Sequence, residues 1–193
     1  MFDVDKYYLF LLGRVVQISS GAAPWFLRNC TDDIKSLMAN NPDVTWDDIE
    51  NHVIQPALKI SEDESLSEEE KKAAMAAKGL GATSSFYGLS KACVNTYTFY
   101  LSQKYPHLIV NACSPGWIET DLTRPGTDLG GGKRSGQRPA GIQPVEKGTI
   151  APIHLLMDKL EGNGRYYGSD AKRSPMHKGR DPDKDPEYDG SYP

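Results

Sequence analysis

The chain has 193 residues, a formal charge of −4 and 38% hydrophobic residues, which suits one globular domain of ordinary size. Mild acidity without a basic stripe excludes a nucleic-acid binder, and three cysteines without metal-like spacing exclude a disulfide scaffold and a zinc site. No stretch approaches the ~20 apolar residues of a membrane span, and Tyr7–Leu12 lacks the flanks of a signal peptide, so reduced thiols and a cytoplasmic location are expected.

In chain order, residues 1–12 carry Phe2, Tyr7, Tyr8, Leu9, Phe10, Leu11 and Leu12 and read as the tail of a helix. They feed a β-branched strand around Val15–Ile18 that runs into the turn Ser19-Ser20-Gly21. Residues 22–82 read as two or three amphipathic helices. Thr45-Trp46-Asp47-Asp48 opens one with a threonine cap, and Ile49, Val53, Ile54, Ala57 and Leu58 form its apolar stripe. Ser67-Glu68-Glu69-Glu70 opens another through a serine cap and early acids. A helix starting near Tyr87 ends before Pro106, and Leu108–Cys113 follows as a second apolar strand. Near-continuous apolar strands separated by helices imply a parallel sheet buried on both faces. Groups at the carboxyl ends of such strands converge on one crevice. Arg124–Pro144 and everything from Lys172 onward are polar, glycine- or proline-rich and expected to be loosely ordered.

The chemistry-bearing stretch is Tyr87-Gly88-Leu89-Ser90-Lys91. A phenol and an ammonium at i and i+4 share one helix face, about 5–6 Å apart at Cβ. A nearby positive charge favours the phenolate, so the pair suits proton exchange with an alcohol oxygen. Tyr100-Leu101-Ser102-Gln103-Lys104 repeats the spacing at the far end of the same helix, where it reads as a surface pair. Gly79-Leu80-Gly81 has no strand before it, and Gly130-Gly131-Gly132-Lys133-Arg134 has the wrong spacing for a phosphate loop. His52, His107, His154 and His177 form no ligand pair, and Cys93 and Cys113 read as small buried groups.

Four segments in order resemble the short-chain dehydrogenase/reductase family, and within it the carbonyl reductases. They are the strand ending in Ser19-Ser20, Tyr87 with Lys91, the run Asn111-Ala112-Cys113-Ser114-Pro115-Gly116-Trp117 with Thr120, and Gly164-Arg165-Tyr166-Tyr167. The resemblance spans roughly residues 13–170. It implies the C-terminal portion of a Rossmann-like, doubly wound α/β domain over residues 1–170, with a helical insertion at 22–82 and a flexible tail at 171–193. It also implies that Ser20 hydrogen-bonds the substrate oxygen, with Ser19 the competing candidate, and that Tyr87 gives or takes its proton. Lys91 would hold the cofactor ribose and lower the pKa of Tyr87. Pro115, Gly116, Ile118 and Thr120 would line the nicotinamide end of NADP(H), and the substrate would be a small carbonyl compound.

The chain departs from the family twice. No strand, glycine-rich turn and helix precede Gly13, so the residues that would hold the pyrophosphate and choose NAD or NADP are missing. The chain thus reads as the second half of a reductase, starting near the parent's fifth strand and inactive alone. The second departure is the long interval between Ser20 and Tyr87, read either as a substrate-side cap that favours monomers or as a peripheral insertion without a role. The alternatives are an inactive or binding protein that pairs with another chain through an exposed sheet edge, and a hydrolase using Ser20, which the absence of Gly-x-Ser-x-Gly disfavours.

Overall fold

The computed structural model describes residues 13–39, 41–81, 86–121, 123, 141–182 and 184–190. The expectations for residues 1–12, for the approach 82–85 and for the glycine-rich loop 124–140 lie outside these. The described residues form an α/β unit whose sheet has four strands in the order β1-β2-β3-β4. β1 (Arg14–Ile18) pairs in parallel with β2 (Ile109–Cys113), from Arg14 opposite Ile109 to Ile18 opposite Cys113. β2 pairs in parallel with the short β3 (Tyr166–Tyr167), and β3 pairs antiparallel with β4 (Arg173–Ser174). The parallel core agrees with the apolar runs; the antiparallel β4 is an addition at the edge.

Between β1 and β2 lie α1 (Ala22–Arg28), α2 (Asp32–Met38), α3 (Trp46–Ile49), α4 (Gln55–Glu62), α5 (Glu68–Ala77) and the long α6 (Phe86–Lys104). α3 begins with a reciprocal capping box between Thr45 and Asp48, and α5 with one between Ser67 and Glu70. A π-helical turn at Glu50–Ile54 joins α3 to α4. It falls just ahead of Pro56, whose ring has no N–H for the carbonyl one turn back. On this helix Ile49, Val53 and Ala57 are buried as the stripe requires, whereas Leu58 is exposed.

The helices at 22–82 are not a rim around a core that lies elsewhere. The largest apolar cluster runs through them, from Phe26 and Leu27 by way of Met38, Ile49 and Val53 to Met75 and Leu80, and reaches Leu89 and Ala92 of α6. α6 thus has this cluster on one side and β2 on the other. α7 (Ile150–Met157) covers the opposite sheet face, where Ala151 and Leu155 pack on Cys113 and Tyr167. Helices on both faces make the sheet doubly wound.

The tail is folded where looseness is expected. Met176 and His177 are buried, and the Tyr188 N–H donates to the Arg173 carbonyl at 3.0 Å. The Arg180 side chain is only 3% exposed. Its guanidinium donates to the Asp170 carboxylate, to Ser174 Oγ at 3.1 Å and to the Asp185 carbonyl at 2.9 Å. Polar composition tracks disorder only when the polar groups lack partners, and this arginine gives them one.

Candidate active site

A cleft of about 1340 Å³ opens at the carboxyl ends of β1 and β2, the crevice position that the topology favours. Ser20, Tyr87, Pro115, Gly116, Ile118 and Thr120 all line it. Three separate segments bring them there: the turn after β1, the first turn of α6, and the loop after β2.

Tyr87 stands 53% exposed, and its hydroxyl has no hydrogen-bond partner among the described residues. Lys91, one turn on, is not on the cleft wall. Its ammonium sits 5.9 Å from the centre of the Tyr87 ring and donates to the Ile18 carbonyl at 3.0 Å. The echo at the other end of α6 behaves differently. Lys104 donates directly to the Tyr100 hydroxyl at 3.0 Å in solvent, and that bond raises the lysine pKa above its ordinary value. Identical spacing thus yields a closed surface pair in one place, and in the other a lysine held by β1 beneath an open phenol.

The two serines separate by geometry. Ser19 is buried, and its hydroxyl donates to the Lys91 carbonyl at 3.2 Å, which fastens α6 to the end of β1. Ser20 faces the cleft, and its Oγ accepts the Ala22 N–H at 3.2 Å at the start of α1. That leaves the Ser20 hydroxyl proton for a ligand oxygen.

The loop after β2 is shaped by Gly116, whose φ of +90° suits glycine. Beyond it Ile118 forms a parallel bridge with Gln143 and lays its side chain over Gly148. Thr120 lies at the exposed end of this wall, its N–H donating to Thr123 Oγ1 at 2.9 Å. These residues suit one end of a dinucleotide: two hydroxyls line the cleft beside a backbone stretch that a flat ring can approach closely, with the Lys91 ammonium behind the Tyr87 ring. The groups that would hold a pyrophosphate are not among them.

The structure adds residues that pattern reading passes over. Trp25 and Trp117, 61% and 49% exposed, also line the cleft. So do Ser114 and the buried Tyr166. Burial pushes the Tyr166 hydroxyl well above the ordinary phenol pKa, against the opposing effect of the neighbouring Ser114 hydroxyl. Ser114, Trp117 and Tyr166 fall inside runs that the sequence had already marked, whereas nothing marked Trp25. Cys30, Cys93 and Cys113 are free thiols whose pKa values burial pushes up to about 12. No cluster of potential metal ligands occurs among the described residues, and none of their helices is long and apolar enough to cross a membrane.

Sheet and cleft define a Rossmann-like α/β protein with a tyrosine–lysine pair at the strand ends. Comparison with known proteins agrees, although no family model matches the chain. It is 33% identical over 98 residues to short-chain dehydrogenase/reductase 1 of Saponaria officinalis, covering 50% of this chain and 28% of that protein. It is 26% identical over 162 residues to carbonyl reductase (NADPH) 3 of Rattus norvegicus, covering 79% and 49%. Among solved structures, salutaridine reductase from Papaver somniferum superposes with a TM-score of 0.53 at 22% identity, over 80% of this chain and 44% of that one. Menthone neomenthol reductase from Mentha piperita gives 0.52 at 22% identity. The chain resembles the short-chain dehydrogenases/reductases, carbonyl reductases among them, and spans about half or less of the length of these curated relatives.

Proposed function

We propose that this chain carries the substrate and nicotinamide side of an NADP(H)-dependent carbonyl reductase site, interconverting a carbonyl compound and its alcohol. The carrying observation is the convergence of Ser20, Tyr87 and the Pro115–Thr120 loop on one cleft, with Lys91 fixed beneath Tyr87. The cofactor, when bound, supplies the hydride. The Ser20 hydroxyl donates to the substrate oxygen, and the Tyr87 hydroxyl passes its proton to that oxygen as it gains charge. Lys91 holds the cofactor ribose from beneath the phenol. Pro115, Gly116, Ile118 and Thr120 bound the nicotinamide end.

The test is a fluorescence titration of NADPH into the purified chain and its Lys91→Ala variant, followed by NADPH oxidation with an aromatic ketone. Saturable binding that Lys91→Ala removes is expected, and any turnover should fall at least about a hundredfold in Tyr87→Phe. A folded chain that neither binds nor oxidises NADPH overturns the reading.

A second reading, a non-catalytic chain that pairs with another polypeptide, draws on the outer edge of β1. Gly13 and Ser19 bond towards β2, so the alternate residues Arg14, Val16 and Ile18 turn their N–H and C=O groups outward. Such an edge is a template for another strand.

A further inference from the structure

α1 begins just after the Ser20 turn and carries Trp25 and Arg28 into the same cleft. A helical rise of ~1.5 Å per residue sets Arg28 about 9 Å beyond Ala22 along the axis, so α1 leads from the oxygen end of the cleft to a charged end. The Arg28 guanidinium lies 5.4 Å from the centre of the exposed Trp25 ring. The folded tail approaches this tryptophan from another segment. A β-carbon at Gly179 would stand 3.6 Å from Pro24 Cβ and 3.9 Å from Trp25 Cδ1, and its neighbour Lys178 is exposed on the cleft wall. Other charges on that wall are engaged: Arg180 with Asp170, Asp181 with Lys184 at 3.0 Å, and the Asp185 carboxylate with the Asp181 N–H at 2.8 Å. Arg28 and Lys178 have no carboxylate partner among the described residues.

We propose that Arg28 and Lys178, grouped around Trp25, select a carbonyl substrate that bears a carboxylate at its far end. The inference rests on the cleft receiving a carbonyl compound. Trp25 offers an apolar ring on which the body of such a ligand lies. The guanidinium presents a planar fork that suits a carboxylate, and the ammonium adds a mobile point charge. Both cations stand in solvent, so their pull is modest and sensitive to salt. Ser20 and Tyr87 meet the carbonyl oxygen, and the two cations decide which carbonyl compound is held there. The tail is then part of the site, since it brings Lys178 to a wall that α1 begins.

The experiment compares 3-(4-acetylphenyl)propanoate with its carboxamide, which has the same shape without the charge. Dissociation constants are measured by titration calorimetry at low ionic strength. The carboxamide constant reports an intact cleft, and the ratio of the two isolates the charge. The native chain should prefer the carboxylate by about fivefold, a preference that fades in 1 M salt, where the Debye length is ~3 Å. Arg28→Gln/Lys178→Gln should bring the ratio to unity with the carboxamide constant unchanged, and Arg28→Lys/Lys178→Arg, which keeps both charges, should retain it. Lys59→Gln/Lys72→Gln removes the same charge away from the cleft wall and should leave the ratio as it is. Equal binding of the two compounds by the native chain, or a preference that survives Arg28→Gln/Lys178→Gln, overturns the proposal. So does an equally large loss of NADPH affinity in that variant, which assigns the two cations to the cofactor's phosphates. Absence of NADPH oxidation beside an intact preference that depends on Arg28 and Lys178 would instead count against the reductase reading alone.

Discussion

The two edges of this sheet are treated in opposite ways. Beyond β4 the chain turns back and closes the surface. The Arg173 N–H donates to the Glu187 carboxylate at 3.0 Å, the Arg173 guanidinium lies 5.0 Å from the centre of the Tyr188 ring, and Arg180 binds three segments at once. Beyond β1 nothing among the described residues continues the ladder. Lys91 takes the Ile18 carbonyl, and the Arg14 guanidinium reaches away to the Leu155 and Asp158 carbonyls at the end of α7. The outer face of α7, which lies over β1, shows Ile150, Ile153, Leu156 and Met157 to solvent. Polarity along the sequence would rank these regions the other way round. The charged tail is the finished surface, and the apolar strand and helix are the open one.

The sharpest way to break this contrast is to unpick the closed edge. Arg180→Ala leaves the partly buried Asp170 carboxylate without its guanidinium, with the Lys172 N–H still donating to it, and frees the tail from β4. Breaking a largely buried pair from one side costs about 3 kcal/mol, measured as a shift of the urea midpoint at constant slope. An unchanged midpoint would mean that the tail is ornament and that the two edges differ less than the geometry says.

A smaller effect is expected where the closed side needs glycine. Gly164 has φ +67°, and its N–H donates to the Val110 carbonyl at 2.8 Å at the approach to β3. A β-carbon there would meet Ser102 Oγ and the ring of Phe99 on α6. Gly164→Ala should therefore destabilise by about 2 kcal/mol. Gly141, also at positive φ but with nothing among the described residues within reach of a β-carbon, is the matched control and should lose less.

How far the sequence disclosed all this follows the range of the forces involved. The strands β1 and β2, the helix caps at Thr45 and Ser67 and the Tyr87–Lys91 helix were legible because each is set by neighbours a few residues apart. The distinction between Ser19 and Ser20 was legible only as an alignment, and the structure supplies its physical content: one hydroxyl is spent on the Lys91 carbonyl, the other faces the cleft. Arg180 and the tail were illegible because their order comes from a few polar contacts between distant segments, which leave no periodicity. The same holds for the meeting of Ser114 and Tyr166, brought together by strand pairing at Ala112 and Tyr166. The core inside residues 22–82 was misjudged in weight, since an amphipathic stripe tells that a face is buried but not what it is buried against.

The smallest expected change in stability sharpens the open side of the comparison. Ile153 and Met157 are four apart on α7, and Met157 is 75% exposed, so neither contributes much to the fold of a single copy. Ile153→Lys/Met157→Lys should leave the unfolding free energy within about 0.5 kcal/mol of the native value. If the α7 face and the β1 edge receive another polypeptide, the same two charges must be desolvated on contact, and association is what suffers. Sedimentation of the native chain over a rising concentration series should then show a mass increase that the double variant lacks. A native chain that stays at one mass across the series would remove self-association as the use of this surface. A double variant that unfolds more easily would show that the face is already covered by the chain's own residues, and the two edges would then be closed alike.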